Sequence, residues 1–105
     1  MNEAESRMAE LARRFLARTA DEVEQMRTCL ARVDAGDPSG LEQIHQLAHR
    51  ACGTGGTLGL CSLSDAAGEL ERRVEALPAD ALPGPAERGQ IAAAIDMLAA
   101  TITPR

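Results

Sequence analysis

The stretch IHQLAHRACGTGGTLG, residues 44–59, contains both histidines of the chain and four of its nine glycines. An ideal α-helix advances about 100° per residue, so a helix through this stretch collects its apolar residues in one arc. On such a helix His49 points about 130° away from the middle of that arc, which places its imidazole in solvent, and His45 lies at the edge of the apolar face. The predicted buried face consists of Leu41, Ile44, Leu47, Ala48, Ala51 and Gly55.

The glycines of this stretch are its second unusual feature. Gly53 and Gly56 follow His49 by four and seven residues. On a helix they lie on either side of the histidine's azimuth, so the backbone beside the imidazole carries no side chains. Each glycine in a helix interior costs about 1 kcal/mol relative to alanine. This cost indicates either that the helix ends early or that another molecule must approach the backbone closely near His49.

The composition restricts the class of protein. The 105 residues include one Phe and no Trp or Tyr, so the core must be aliphatic, which suits closely packed helices in one domain spanning residues 1–105. The formal net charge of -5 disfavours nucleic acids and anionic membranes as partners. The three cysteines are odd in number and lie in no zinc-binding spacing, which favours a reduced, cytoplasmic protein. A membrane span requires about 18 consecutive apolar residues, and no apolar run in the sequence approaches that length.

Two helices are predicted in the first half of the chain, and the second contains the glycine cluster. Apolar residues recur at helical spacing from Glu3 to about Val33, which favours one long helix, although Thr19 interrupts the stripe and a cap for a separate helix there is the alternative. Gly36, Asp37 and Pro38 then suit a C-terminal cap, an N-cap and a first helical turn, so the second helix begins at Pro38. The apolar stripe of the first helix consists of Met8, Leu11, Phe15, Val23, Met26, Leu30 and Val33.

Two further helices complete the predicted fold. A third helix from about Ser62 to Leu77 has apolar residues alternating by four and three, with a start signal in residues 62–65. Pro78 and Pro83-Gly84 mark the longest loop, and Pro85 begins a last helix whose stripe runs to Ile102. The predicted fold class is therefore all-α, an antiparallel bundle of four main helices.

Several kinds of active site are disfavoured by the residue pattern. His45 and His49 have the spacing of a helical metal clamp, but no glutamate stands beside them and no third ligand is obvious in the sequence, so no metal site is predicted. No serine or cysteine occurs with a base and an acid in a recognisable order, which disfavours a nucleophilic enzyme. The GTGG run lacks the Lys-Ser/Thr ending and the preceding strand of a phosphate-binding loop.

One chemistry explains the glycines as well as the histidine. A neutral imidazole has a free nitrogen lone pair at pH 7 and can attack an acyl phosphate in line. Because few charged groups stand near His49 in the sequence, the donor must supply the metal ion and the charge-neutralising groups. A strip of helix without side chains lets such a donor reach the ring.

The residue pattern resembles that of histidine phosphotransfer (HPt) domains, and the close match covers Leu41 to Val74. The resemblance implies an antiparallel four-helix bundle with an additional N-terminal helical segment. The function that it implies is that of a phosphocarrier without catalytic activity of its own, in which His49 relays a phosphoryl group between receiver-domain aspartates of a hybrid histidine kinase and a response regulator. It also implies a monomer without a cofactor, the magnesium ion being held by the partner receiver domain. Glu71 occupies the place of a side chain that orients the ring in this family. The matching residues are His49, Gly53, Gly56 and Gly59, spaced HxxxGxxGxxG, followed by Leu60, Leu63, Ala67 and Leu70-Glu71.

The chain departs from the family pattern at one position near the acceptor. Many members have a lysine three residues beyond the histidine, where this chain has Cys52, so Arg50 is the nearest cation for a phosphohistidine. The predicted receiver-docking surface consists of His45, Arg50, Cys52, Gly53 and Gly56. Two alternatives remain: a helical docking or scaffold module that binds a receiver or kinase domain without being phosphorylated, and a bundle that self-associates through the apolar residues near Leu58.

Overall fold

A computed structural model of the chain describes residues 2–78 and 81–102, and its four helices form one bundle. Helix α1 packs against α2 and α4, and α3 packs against the same two helices, so each helix contacts two neighbours. Short connections join α1 to α2 and α2 to α3, which makes consecutive helices antiparallel. The predicted all-α bundle is confirmed. The helices are α1 Glu3–Asp34, α2 Ser39–Thr57, α3 Cys61–Glu75 and α4 Pro85–Ile102.

The core is aliphatic, as the composition predicts. Phe15 is its one aromatic side chain, and Met26, Ile44 and Leu70 are completely buried. Every residue of the predicted buried face of α2 is buried. The thiols are free: Cys29 lies in the core, where burial raises its pKa above the ordinary value for a thiol. The remaining buried apolar residues are Val23, Val33, Ala67, Leu63, Val74, Ile91, Ala94, Ile95 and Leu98.

Helix α1 is continuous through Thr19. The Thr19 side chain is fully buried, and its Oγ1 donates a hydrogen bond of 2.8 Å to the carbonyl oxygen of Phe15. This bond satisfies the hydroxyl within the helix, so no cap or second helix forms there. Before Phe15 the predicted stripe is not buried: Met8 and Leu11 are 47% and 45% exposed. The additional N-terminal segment is therefore the beginning of α1 itself, extending beyond the other helices.

The connection between α1 and α2 follows the sequence prediction to within one residue. Gly36 adopts φ 102°, the left-handed conformation that ends α1. The Asp37 carboxylate accepts hydrogen bonds from the Ser39 backbone N–H (3.0 Å) and hydroxyl (2.6 Å). These bonds stabilise the charged carboxylate and hold the pKa of Asp37 below its ordinary value. Pro38 already has helical dihedrals, φ -69° and ψ -13°, directly before the first residue of α2.

The connection between α2 and α3 is a Schellman turn. The Gly59 and Leu60 N–H groups donate to the carbonyls of Gly56 and Gly55 at 3.1 and 2.8 Å, and Gly59 has φ 76°. Leu58 and Leu60, on either side of this glycine, are half-buried against the core. Helix α3 begins at Cys61, one residue before the predicted start, and Leu60 precedes it without a side-chain cap. The start signal in residues 62–65 therefore lies inside the first turns of the helix.

The last connection is described only in part. Helix α3 ends at Glu75, two residues before the predicted boundary, and Leu77 packs partly buried against the core. The predicted loop includes residues 79 and 80, which lie outside the described residues. Helix α4 begins at Pro85, as predicted, and the Glu87 carboxylate accepts a hydrogen bond from the Gly84 N–H at 2.8 Å. Among the described residues, no helix is both long and apolar enough to cross a membrane.

Candidate functional site

Helices α2 and α3 bring four ionisable side chains together on one face of the bundle. His49 Nδ1 lies 2.5 Å from Glu71 Oε2. His45 Nε2 lies 3.7 Å from the same oxygen and 3.2 Å from Glu75 Oε2. The two imidazoles stack with 6.4 Å between their centroids and 11° between their planes. Glu71 is therefore shared between both histidines.

The spacing of these residues in the sequence explains why they meet. The two histidines are four residues apart on α2, and the two glutamates are four residues apart on α3. Residues with this spacing lie one above the other on a helix face. The buried contact of Gly55 with Leu63 sets the distance between the helices, since a Cβ on Gly55 would lie 2.9 Å from Leu63 Cδ2. One column of histidines thus faces one column of glutamates.

The environment of His49 differs between its two ring nitrogens. The His49 side chain is 71% exposed, whereas that of Glu71 is only 17% exposed. An ionised carboxylate can only accept hydrogen bonds, so Nδ1 carries the proton in the bond to Glu71. In that tautomer the lone pair belongs to Nε2. The arrangement can therefore present a nucleophilic imidazole nitrogen at an open surface.

The glycines after His49 have separate structural reasons. Gly53 lies inside α2, and a Cβ built there meets no atom within 4 Å. Gly56 is exposed, and its Cβ would lie 3.4 Å from the Ser64 hydroxyl. Gly55 is required by close helix packing, and Gly59 by the left-handed turn. Within the chain, packing and turn geometry account for Gly55 and Gly59 and leave Gly53 unexplained.

Two shallow depressions flank His49. One, between α1 and α2, is lined by Arg18, Glu22, Arg50 and Gly53 among others. The second, between α2 and α3, contains the histidines and glutamates described above together with Arg50. The Arg50 guanidinium lies 3.5 Å from Glu22 Oε2 on α1 and is otherwise largely exposed. His49 stands on the ridge between the depressions.

The predicted docking residues do not all share this open face. His45, Arg50 and Gly53 adjoin His49 and line the two depressions. Cys52 is half-buried and turned toward α3, where its Sγ lies 3.7 Å from the Ser64 hydroxyl oxygen. The Ser64 hydroxyl donates a hydrogen bond of 2.8 Å to the Cys52 carbonyl oxygen. Cys52 thus belongs to the contact between α2 and α3.

Two side chains beside His49 were not identified from the sequence. Glu75 adjoins His45. It follows Glu71 by four residues, as His49 follows His45, and this matching spacing could have predicted that the two pairs face each other. Arg18 lies in the depression between α1 and α2, with its guanidinium carbon 5.7 Å from the centroid of the Phe15 ring. No local pattern marks Arg18, because its position depends on how α1 is aligned along α2.

A comparison with protein families agrees with the helical-bundle fold. The family model described as Hpt domain matches residues 10–101. Neither a curated protein nor a solved structure matches the chain. Members of this family are helical bundles that carry phosphoryl groups on histidine and interact with receiver domains in phosphorelays. Since the match covers nearly the whole sequence, the chain belongs to the Hpt domain family.

Proposed function

We propose that His49 accepts a phosphoryl group from the aspartyl phosphate of one receiver domain and passes it to the aspartate of another. The observation that carries this proposal is the 2.5 Å contact between Nδ1 of the exposed His49 and Glu71 Oε2. It favours the tautomer with a free Nε2 lone pair and restricts rotation of the ring. The donor and acceptor in this proposal are a hybrid histidine kinase and a response regulator, in the cytoplasm.

The transfer requires one bond to form and one to break. His49 Nε2 attacks the phosphorus atom of the aspartyl phosphate in line, the P–N bond forms, and the P–O bond to the aspartate breaks. The aspartate leaves as a carboxylate with the bonding electron pair. Glu71 acts as a positioning residue, since its negative charge stabilises the positive charge that develops on the imidazole. The reverse sequence of bonds delivers the phosphoryl group to the second receiver domain.

The partner must supply most of the charge stabilisation. The Arg50 guanidinium, the nearest cation to His49 on α2, is paired with Glu22 at 3.5 Å. The 3.5 Å contact is long for a hydrogen bond and the Arg50 side chain is 68% exposed, so its guanidinium can turn toward a phosphoryl group on His49. The proposed receiver domain brings a magnesium ion, and this chain acts as a monomer without a cofactor of its own.

The uncovered backbone at Gly53 supports docking of a second protein over His49. Gly53 is exposed inside a helix, and nothing in the described part of the chain lies where its side chain would be. A receiver domain must bring the phosphorus atom of its aspartyl phosphate to about 3–3.5 Å of the attacking nitrogen before reaction. Such an approach places the partner's loops against the surface of α2 next to His49.

The first experiment is intact-mass spectrometry after incubation with phosphoramidate, a small donor that phosphorylates accessible histidines. Wild type, His49→Gln and His45→Gln are compared; His45 is the matched control, one turn earlier on the same helix. We expect one acid-labile phosphate on wild type and on His45→Gln, and none on His49→Gln. A folded wild type that takes no label, or a label that is lost with His45, would contradict the proposal and favour a docking module that is not phosphorylated.

A further inference from the structure

The second histidine of the site has an unusual environment. His45 Nε2 is buried and makes no hydrogen bond within the described residues, although its side chain as a whole is 32% exposed. Two carboxylate oxygens stand close to it, Glu75 Oε2 at 3.2 Å and Glu71 Oε2 at 3.7 Å. A buried nitrogen without a hydrogen bond is costly, and two neighbouring carboxylates repel each other. A cation between the three groups would remove both penalties.

The separations of these atoms fit a small metal ion. The three ligand atoms of His45, Glu71 and Glu75 lie within 4.8 Å of one another. Ligands at about 2.0–2.1 Å from a tetrahedral zinc ion are about 3.3–3.4 Å apart, which follows from the geometry of a tetrahedron. The distances of 3.2 and 3.7 Å from His45 Nε2 are within a few tenths of an ångström of that value. Small rotations of the exposed Glu75 side chain suffice to complete the geometry.

We propose that His45, Glu71 and Glu75 bind a divalent ion of the zinc type, with water in the fourth position, and that this ion competes with His49 for Glu71. One imidazole nitrogen and two carboxylates are ligands that zinc accepts, whereas magnesium prefers oxygen ligands in an octahedron. The two carboxylates balance the charge of the ion. All three residues line the depression between α2 and α3, and the exposed Glu75 at its edge gives the ion a path from solvent.

Binding at this site has a consequence for the proposed phosphotransfer, and this part of the inference rests on the proposed function. Glu71 Oε2 is the atom nearest His49 Nδ1 and also one of the three proposed ligands. An oxygen that coordinates the ion donates electron density to it and becomes a weaker acceptor for the His49 N–H. The ion therefore releases the His49 ring from its partner and slows the attack on phosphorus.

Metal binding is measured first, on tag-free protein freed of metal by a chelator. Isothermal titration with zinc chloride is run on wild type, His45→Gln and Glu75→Gln, with Glu69→Gln as the control because Glu69 lies on α3 but pairs with Arg72 and Arg73. We expect one ion per wild-type chain, the same affinity in Glu69→Gln, and affinity at least about tenfold lower in the other two variants. Equal affinities in all four proteins, or no binding by wild type, would overturn the site.

Cobalt(II) provides a spectroscopic check on the ligands. A tetrahedral cobalt site of nitrogen and oxygen ligands gives visible d–d bands without the near-ultraviolet band of a cobalt–thiolate bond. We expect this spectrum in wild type and in Glu69→Gln, and its loss in His45→Gln. A thiolate band would assign the ion to the exposed Cys61 or to Cys52 and would overturn the proposed ligand set.

The competition with His49 is tested by the initial rate of phosphoramidate labelling with and without saturating zinc chloride. We expect zinc to lower the rate at least threefold in wild type and to change it little in Glu75→Gln, which also controls for any effect of zinc on phosphoramidate. Zinc that binds wild type without changing its rate would overturn the competition. Absence of labelling in metal-free wild type would instead count against the phosphoacceptor role of His49, while the binding data would still decide the metal site.

Discussion

The two nitrogens of His49 face different partners, and Glu71 determines which of them can react. Glu71 is largely buried between α2 and α3, so its carboxylate is held in place by packing, whereas the His49 ring is mostly exposed. A hydrogen bond between a charged group and its partner contributes about 1.5–3 kcal/mol when it is well formed. The bond is short here, at 2.5 Å, and joins two helices. The reactivity of His49 therefore depends on a residue of the next helix.

Replacing Glu71 by alanine should slow phosphorylation of His49 about tenfold, since about 1.4 kcal/mol of lost positioning and charge stabilisation corresponds to that factor. The measurement is the initial rate of phosphoramidate labelling in a metal-free buffer. Glu69→Ala is the control, because Glu69 lies on the same helix and pairs with the arginines at positions 72 and 73. A Glu71→Ala protein that labels at the wild-type rate would exclude the positioning role.

Gly53→Ala is expected to separate stability from docking. The new methyl group meets no atom within 4 Å, and alanine is favoured over glycine in a helix interior by about 1 kcal/mol. Urea unfolding should therefore show a stabilisation of about 0.5–1 kcal/mol. Labelling by phosphoramidate, a small donor, should be unchanged, whereas transfer from a phosphorylated receiver domain should be slower because the methyl group obstructs its approach.

Gly89→Ala is the matched control for that variant. Gly89 lies in α4, and a Cβ there also meets nothing within 4 Å. Its replacement should stabilise the bundle by a similar amount without affecting transfer. If Gly53→Ala and Gly89→Ala transfer phosphate from the receiver equally fast, the glycine beside His49 has no role in docking.

At the level of the helices, the contact between α1 and α2 depends on Gly40. A Cβ at this position would lie 2.4 Å from the Cys29 carbonyl oxygen and 3.0 Å from Val33 Cγ2. The carbonyl belongs to the backbone of α1, so it cannot move without shifting the helix. A residue larger than glycine at position 40 would therefore push α1 and α2 apart.

Gly40→Ala should accordingly destabilise the bundle, although alanine is the better helix former. Overpacking of a tight contact costs about 1–3 kcal/mol, which exceeds the gain in helix propensity. Urea unfolding monitored by circular dichroism measures the change, with an unchanged dependence on denaturant showing that the same amount of surface is exposed. A Gly40→Ala protein as stable as wild type would mean that α1 and α2 separate easily at this point.

The sequence predicted those features of the site that depend on one helix, and missed those that depend on how two helices are aligned. The exposure of His49 and the buried face of α2 are properties of a single helix, so the periodicity predicted them correctly. The sequence pattern did not show that α2 ends in a Schellman turn at Gly59 and that α3 starts directly after it. The serines after Cys61 are residues typical of a helix cap, so they placed the start of α3 too late. Their actual use differs: the Ser64 hydroxyl bonds to the Cys52 carbonyl across the helix interface. The position of Glu75 beside His45 likewise depends on the alignment of α3 along α2.

For the whole molecule, the long first helix determines the shape. The molecule extends 51 Å along its longest axis and 21 and 20 Å across the others. Helix α1, with 32 residues, is about 48 Å long at 1.5 Å per residue. The other helices are much shorter, so the N-terminal part of α1 projects beyond them. The family match begins at residue 10, close to the point where α1 meets the bundle.

Deleting residues 2–9 should therefore leave the bundle and its chemistry intact. No residue before Phe15 is buried among those described, and the pair of Glu3 with Arg7 is exposed, so the loss in stability should be under about 1 kcal/mol. Urea unfolding, phosphoramidate labelling and sedimentation velocity are compared between the two lengths, and both should sediment as monomers. A truncated protein that is much less stable, or a full-length chain that sediments as a dimer while the truncated chain does not, would show that Met8 and its neighbours pack against a second copy.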